Sequence, residues 1–211
     1  MERLFIEAKS DLDIIEVAKQ IKFSKKLGLV TTVQHLHKLE EVKKLFPDSI
    51  VAGTVLGCDV ANALKIKDEV DAFLFIGSGN FHPLEIAMQT GKKVLTADPV
   101  TGKTGEINEE EIAKRKNRAR AAYMKFLASD KIGILVSTKE GQCEMAAAER
   151  LKKELKKECY IFVFDTLDFT ELENFTDIEA WVSTACPRMA IEDYDKFPKP
   201  VINIKELQQN L

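Results

Sequence analysis

Lys26-Leu27-Gly28-Leu29-Val30-Thr31-Thr32 recurs, with one insertion, as Lys131-Ile132-Gly133-Ile134-Leu135-Val136-Ser137-Thr138. Each copy is a nearly continuous apolar run, and each leads into a Lys/Glu-rich amphipathic helix and a further apolar run. A strand without polar alternation is one buried on both faces, as in a parallel sheet covered by helices. The recurrence therefore predicts an α/β protein made of two similar parallel-sheet domains. Asp98-Pro99-Val100-Thr101-Gly102-Lys103-Thr104-Gly105 is dense in turn formers and reads as the junction, giving domains over residues 1–105 and 106–211.

Outward from the two copies, the same alternation fills the chain. Strands are expected at Leu4–Ile6, Gly28–Val33, Ile50–Ala52, Ala72–Ile76, Lys93–Thr96, Gly133–Ser137, Tyr160–Phe164, Trp181–Ser183 and Val201–Ile202. Helices are expected at Leu12–Ile21, Leu36–Leu45, Pro83–Gln89, Glu109–Ala128, Glu144–Lys156 and Lys205–Gln209. Asn108 followed by Glu111 forms a capping-box pattern for the longest of these, and Pro83 suits a first helical position.

Composition narrows the function classes. The net charge is −3, with 45% hydrophobic and 31% charged residues, which suits a folded protein and argues against a general nucleic-acid binder. No apolar run reaches the roughly 18 residues of a membrane span, and Met1-Glu2-Arg3 leads into an acidic segment rather than a signal sequence, so a cytoplasmic location is expected. The basic run Lys114-Arg115-Lys116-Asn117-Arg118-Ala119-Arg120 reads as a solvated helix face.

Cys58, Cys143, Cys159 and Cys186 show none of the short spacings with which one loop grips a metal. Cys58 lies in Gly53-Thr54-Val55-Leu56-Gly57-Cys58-Asp59-Val60, and Cys186 in Ser183-Thr184-Ala185-Cys186-Pro187-Arg188, so one cysteine closes what reads as a comparable strand end in each half. Thiols at the carboxyl edge of an open α/β sheet face the side where such sheets bind ligands. A helix starting beyond Cys186 favours its thiolate, the form in which cysteine binds iron–sulfur clusters. Packing or partial exposure accounts for Cys143 and Cys159.

Gly77-Ser78-Gly79-Asn80-Phe81-His82-Pro83 follows a very apolar strand and opens a helix, so its amides suit a carboxylate or phosphate. It is neither GxGxxG nor a P-loop, which argues against a dinucleotide or nucleoside triphosphate. His82 serves either an anionic ligand or its own turn. Arg188 serves either a substrate carboxylate or a salt bridge to Glu192. His35 and His37, two residues apart, make a poor metal pair.

Taken together, Leu56-Gly57-Cys58-Asp59, Gly77-Ser78-Gly79-Asn80-Phe81-His82-Pro83-Leu84, Asp98-Pro99-Val100-Thr101-Gly102 and Thr184-Ala185-Cys186-Pro187-Arg188-Met189-Ala190-Ile191-Glu192-Asp193 resemble the diphthamide synthase family. These are the archaeal and eukaryotic 2-(3-amino-3-carboxypropyl)histidine synthases. The resemblance implies domains matching the second and third of the family's three. It also implies a 4Fe-4S cluster on three cysteines, with S-adenosylmethionine at the open iron. A 3-amino-3-carboxypropyl radical is transferred to a histidine of translation elongation factor 2. Cys58 and Cys186 would be the second- and third-domain ligands, with Gly77, Ser78, Gly79, Phe81, His82 and Arg188 near the cofactor.

Compared with that pattern, the chain is expected to be a short homologue lacking the first domain and its ligand cysteine. The third thiolate would then come from a separate chain or from a homodimer partner. The alternative expectation is a non-catalytic paralogue that acts as a scaffold or partner-binding module. A weaker third is a metal-free small-molecule transferase or dehydrogenase using the same sheet edge.

Overall fold

Strand β1 (Leu27–Thr31) is buried at every residue because it lies between β2 (Ile50–Thr54) and β3 (Ala72–Ile76) and is covered on both faces. The computed structural model describes Ile6 and residues 8–208. It divides into two compact units between Ile112 and Ala113.

In the first unit the sheet order is β2-β1-β3-β4-β5, with β4 at Lys93–Asp98 and β5 at Lys103–Glu106. The first four pair in parallel, and β5 runs antiparallel to β4. Alternation along the strands sends neighbouring side chains to opposite faces. Leu27, Leu29 and Leu74 meet Ile14 and Val17 of α1 (Ile14–Ala18) and Leu39 and Val42 of α2 (Leu39–Lys43). Val30, Phe73 and Phe75 meet Ala63 of α3 (Ala61–Ile66) and Ile86 of α4 (Phe81–Thr90).

Helix α5 (Glu109–Ala128) starts with the expected capping box: Glu111 N donates to Asn108 Oδ1 at 2.7 Å, and Asn108 N to Glu111 Oε2 at 3.4 Å. The second unit then contributes β6 (Lys131–Ser137), α6 (Met145–Glu154), β7 (Glu158–Phe164), β8 (Ala180–Ser183), α7 (Pro187–Ile191), β9 (Val201–Asn203) and α8 (Ile204–Gln208). Its sheet is wholly parallel, in the order β7-β6-β8-β9.

Numbered from its own first strand, each unit has the order second, first, third, fourth. The register makes the equivalence residue by residue. Gly28 pairs with Phe73 and Phe73 with Val94; Gly133 pairs with Trp181 and Trp181 with Val201. Both glycines make room for the aromatic beside them. A Cβ on Gly28 would stand 2.7 Å from the Phe73 ring, and one on Gly133 would overlap the Trp181 ring. The repeat seen in the sequence is therefore a repeat in topology and packing.

Four expectations need correction. The segment read as a junction is a hairpin inside the first sheet: Gly102 N donates to Asp98 O at 2.9 Å and the chain returns as β5. That strand carries no hydrophobic signal because all four residues are exposed. Ile107 and Ile112 join the first unit's core, so the division falls beyond Gly105, inside α5. The helix expected over Leu36–Leu45 is a 3-10 turn at Val33–Lys38 followed by the short α2. The basic run on α5 is not uniformly solvated: Arg115 is buried and paired with Glu206, while Arg118 reaches Asp195 at 3.1 Å and lies over the Tyr194 ring.

Of the strand expected at Leu4–Ile6, Leu4 and Phe5 lie outside the described residues, as does Gln209 of the last expected helix; Ile6 is exposed. No helix among the described residues is long and apolar enough to cross a membrane.

Candidate functional site

Cys58 sits at the corner of a tight turn beyond the carboxyl end of β2. Leu56 N donates to Asp59 O at 2.9 Å and Asp59 N returns to Leu56 O at 3.1 Å, leaving Gly57 and Cys58 at the tip. Asp59 Oδ1 accepts from Ala61 N at 2.9 Å, and Asn62 Nδ2 donates to Thr54 O at 2.9 Å, so the turn is tied at both ends. The thiol is free of disulfide and half-buried. Gly57 has no substitute here: a Cβ would overlap the Phe81 ring. That contact brings the Cys58 turn and the Gly77–His82 loop together.

The loop itself leaves β3 with Gly77 buried and Ser78, Gly79 and Asn80 exposed. Ser78 Oγ donates to Asp98 Oδ1 at 2.6 Å, and Asn80 Nδ2 to Glu111 Oε1 at 3.2 Å. The same Asp98 oxygen accepts from Val100 N at 2.9 Å and Thr101 N at 3.4 Å. Partial burial works against ionising Asp98, but these hydrogen bonds outweigh it and hold its carboxyl below the ordinary value. His82 is half-buried, its ring 5.8 Å from that of Phe75 and 5.5 Å from that of Phe81. Helix α4 begins at Phe81, so Pro83 is its third residue rather than its first; proline is tolerated there because first-turn amides have no helical acceptor.

In the second unit, Cys186 is half-buried at the start of α7 and Pro187 is the first helical residue. Thr184 N and Oγ1 both donate to Leu135 O, at 3.0 and 2.9 Å, fixing the strand end from which the thiol projects. Arg188 is exposed and paired with Glu192, the alternative weighed against a substrate carboxylate. Its pKa is raised, first by the Glu192 hydrogen bond against some burial, with further help from the charges of Glu192 and Asp193.

The two cysteines do not close equivalent strands. Cys58 follows β2, whose counterpart is β7; Cys186 follows β8, whose counterpart is β3. The strand patterns alone hide this, because chain order and sheet order differ. Cys143 is exposed, and Cys159 is buried in the core beside Ile132. Burial pushes the Cys159 thiol up, against the lowering effect of Lys152 and Lys157. His35 is buried, and burial lowers its pKa, with Lys38 and His37 adding to the effect. Among the described residues no three His, Cys, Asp or Glu side chains group closely enough to hold a metal ion.

Asp98 stands in the sequence reading as part of a junction and of a family motif, with no role of its own in the site. Its signal was local: an aspartate ending a strand and followed by Pro-Val-Thr-Gly is a turn-forming acceptor.

Comparison with known proteins places these features. The family described as "Putative diphthamide synthesis protein" matches residues 1–211. The chain belongs to this family. A family relative named 2-(3-amino-3-carboxypropyl)histidine synthase, from Pyrococcus horikoshii, is 37% identical over 97% of this chain and 64% of its own length. Its namesake from Methanocaldococcus jannaschii is 31% identical over 91% of this chain and 54% of its own length. The crystal structure of Dph2 from Pyrococcus horikoshii with a 4Fe-4S cluster superposes with a TM-score of 0.81 at 33% identity, covering 95% of this chain and 63% of that one. The diphthamide synthesis fold thus spans the two units, and the chain spans less than two thirds of these relatives.

Proposed function

We propose that the chain is a component of a 2-(3-amino-3-carboxypropyl)histidine synthase, with Cys58 and Cys186 each contributing one thiolate to a 4Fe-4S cluster. The single observation that carries this reading is the packing of Phe81 on Gly57, which sets a half-buried thiol beside an exposed glycine loop within a family member. The donors suit the group: neither thiol is in a disulfide, and both are half-buried beyond the carboxyl ends of parallel strands. Two thiolates do not complete a cluster that takes three from protein, so the third comes from a further domain, a separate chain or a second copy.

A bound cluster supplies the electron that breaks the Cγ–S bond of S-adenosylmethionine. The chain's own residues bind and orient. Ser78, held by Asp98, shapes the loop in which Gly77, Gly79, Phe81 and His82 meet the methionine portion, and Arg188 is a further contact for the cofactor. The aminocarboxypropyl group would replace a ring hydrogen on a histidine of translation elongation factor 2, in the cytoplasm, with the thioether remainder of S-adenosylmethionine released and the hydrogen lost as a proton and an electron.

Iron and acid-labile sulfide per chain after anaerobic reconstitution test the reading, with oligomer size followed in parallel. Stoichiometric iron that is lost in Cys58→Ala and in Cys186→Ala supports it. Iron retained in both variants, or absent from the wild type supplied with a candidate partner, overturns it in favour of a partner-binding module.

A further inference from the structure

Behind Cys186 the second sheet carries three buried polar groups that the protein leaves unsatisfied: the Trp181 indole N–H and, at the carboxyl ends of its strands, Ser183 and Asn203. Ser183 is 0% exposed and Asn203 2% exposed, and neither Ser183 Oγ nor Asn203 Nδ2 has a hydrogen-bond partner. Most buried polar atoms in native proteins do have one, so two together call for an explanation. They are register neighbours at the carboxyl ends of β8 and β9, and so lie side by side on one face of the sheet. Trp181, Leu135 and Val201 share that face with Ala190 of α7, so the short helix headed by Cys186 covers it.

The first unit fills the equivalent place differently. Phe75 and Thr96 are the register neighbours at the equivalent positions. Phe75 fills its place with an aromatic ring that packs within the apolar core. Replacing that ring by serine and the threonine by asparagine exchanges apolar volume for hydrogen-bonding capacity. The capacity has a sign. Asn203 Oδ1 already accepts from Lys205 N at 3.0 Å, which leaves its amide N–H groups, and the Ser183 hydroxyl adds a donor.

We infer that Ser183 and Asn203 form a subsite for the carboxylate of a small amino-acid-type ligand. Two adjacent donors at a ligand-binding sheet edge suit an anionic oxygen, and hydrogen bonds to a charged acceptor are the strong ones. Naming that carboxylate as the one on the sulfonium substrate rests on the function proposed above; the donor pair does not.

Binding of S-adenosylmethionine, its decarboxylated analogue and L-methionine to the reconstituted protein, measured by calorimetry, tests the subsite. Ser183→Ala should weaken S-adenosylmethionine by about tenfold or more and leave the decarboxylated analogue unchanged. Asn203→Thr, which keeps an oxygen for Lys205 N as Thr96 would, should do the same. Losing a hydroxyl with no protein partner should not lower the melting temperature, so a folding defect is readily told apart. Equal losses for both sulfonium probes, or no loss for either, overturn the subsite in favour of an ordered water while the sulfonium reading stands. Methionine binding that is sensitive to Ser183→Ala, without any sulfonium binding, supports the subsite and removes the sulfonium reading. A wild type that binds neither overturns both.

Discussion

Cys186 occupies in the second sheet the position that Ser78 occupies in the first. Phe73 and Trp181 are equivalent by register, each packed over a glycine of the neighbouring strand, and Ser78 and Cys186 follow them at the same interval. The carboxyl end of the third strand therefore carries a reactive or hydrogen-bonding side chain in both units. Cys58 has no such counterpart: beyond β7 the chain offers Asp165, which accepts from Thr138 Oγ1 at 3.1 Å. One fold has been used twice and furnished differently, so the thiols are a property of the loops rather than of the repeat.

Ser78→Ala removes the hydroxyl that Asp98 accepts from and should cost about 1 kcal/mol at neutral pH. The cost should depend on pH in one direction. Asp98 has a depressed pKa in the folded protein, so its contribution is present above the unfolded carboxylate value and lost as pH falls through the folded one. Urea unfolding should accordingly show wild type and variant converging in acid. A gap that stayed constant below the carboxylate range would place the hydroxyl's effect elsewhere.

Gly57→Ala tests the contact between the Cys58 turn and the Gly77–His82 loop. The new methyl overlaps the Phe81 ring, and the tied turn gives it little room to withdraw. Overpacking of this kind costs about 1–3 kcal/mol. Adding Phe81→Ala should return part of that loss, because the clash disappears with the ring. Independent, additive effects in the four-way comparison would show that the two loops are not coupled.

Legibility followed burial. Ala72–Ile76 and Glu109–Ala128 were marked to the residue, one by an unbroken apolar run and the other by a capping box and long periodicity. β5 was not legible, because Lys103-Thr104-Gly105-Glu106 is exposed and polar and takes its form from the hairpin turn at Asp98. Within the site, Cys58, Cys186 and the glycine loop stood out as breaks in apolar runs. Their relation did not, since strand order in the sheet depends on pairing across the chain. Ser183 and Asn203 were invisible for a different reason: a serine ending a strand looks alike whether or not its hydroxyl finds a partner.

Arg115 and Glu206 make the case for a buried ion pair on α5 and α8. Arg115 is 8% exposed on its side chain and Glu206 21%, so neither charge is well solvated. Glu206→Gln removes the carboxylate that the guanidinium faces and should destabilise the protein by about 3–5 kcal/mol. The double variant Arg115→Met with Glu206→Leu should recover most of it, because an apolar pair fills the space without desolvated charge. Chemical denaturation of the three variants decides this; a double variant as unstable as Glu206→Gln would mean that the pair's geometry, and not its charge, holds α8.

The four thiols should separate by reactivity in the iron-free protein. Attack on an alkylating reagent needs both the thiolate and access to it. Cys143 is exposed and should react first. Cys58 at its turn and Cys186 at the start of α7 are half-buried and should follow at intermediate rates. Cys159 is 6% exposed in the core, and its burial disfavours the thiolate, so it should react only as the second unit unfolds. Peptide-resolved alkylation against urea concentration reads all four at once. Reconstitution with iron should then slow Cys58 and Cys186 together while leaving Cys143 unchanged. Protection of Cys143 in their place would move the ligand role to the loop after β6, and with it the candidate site.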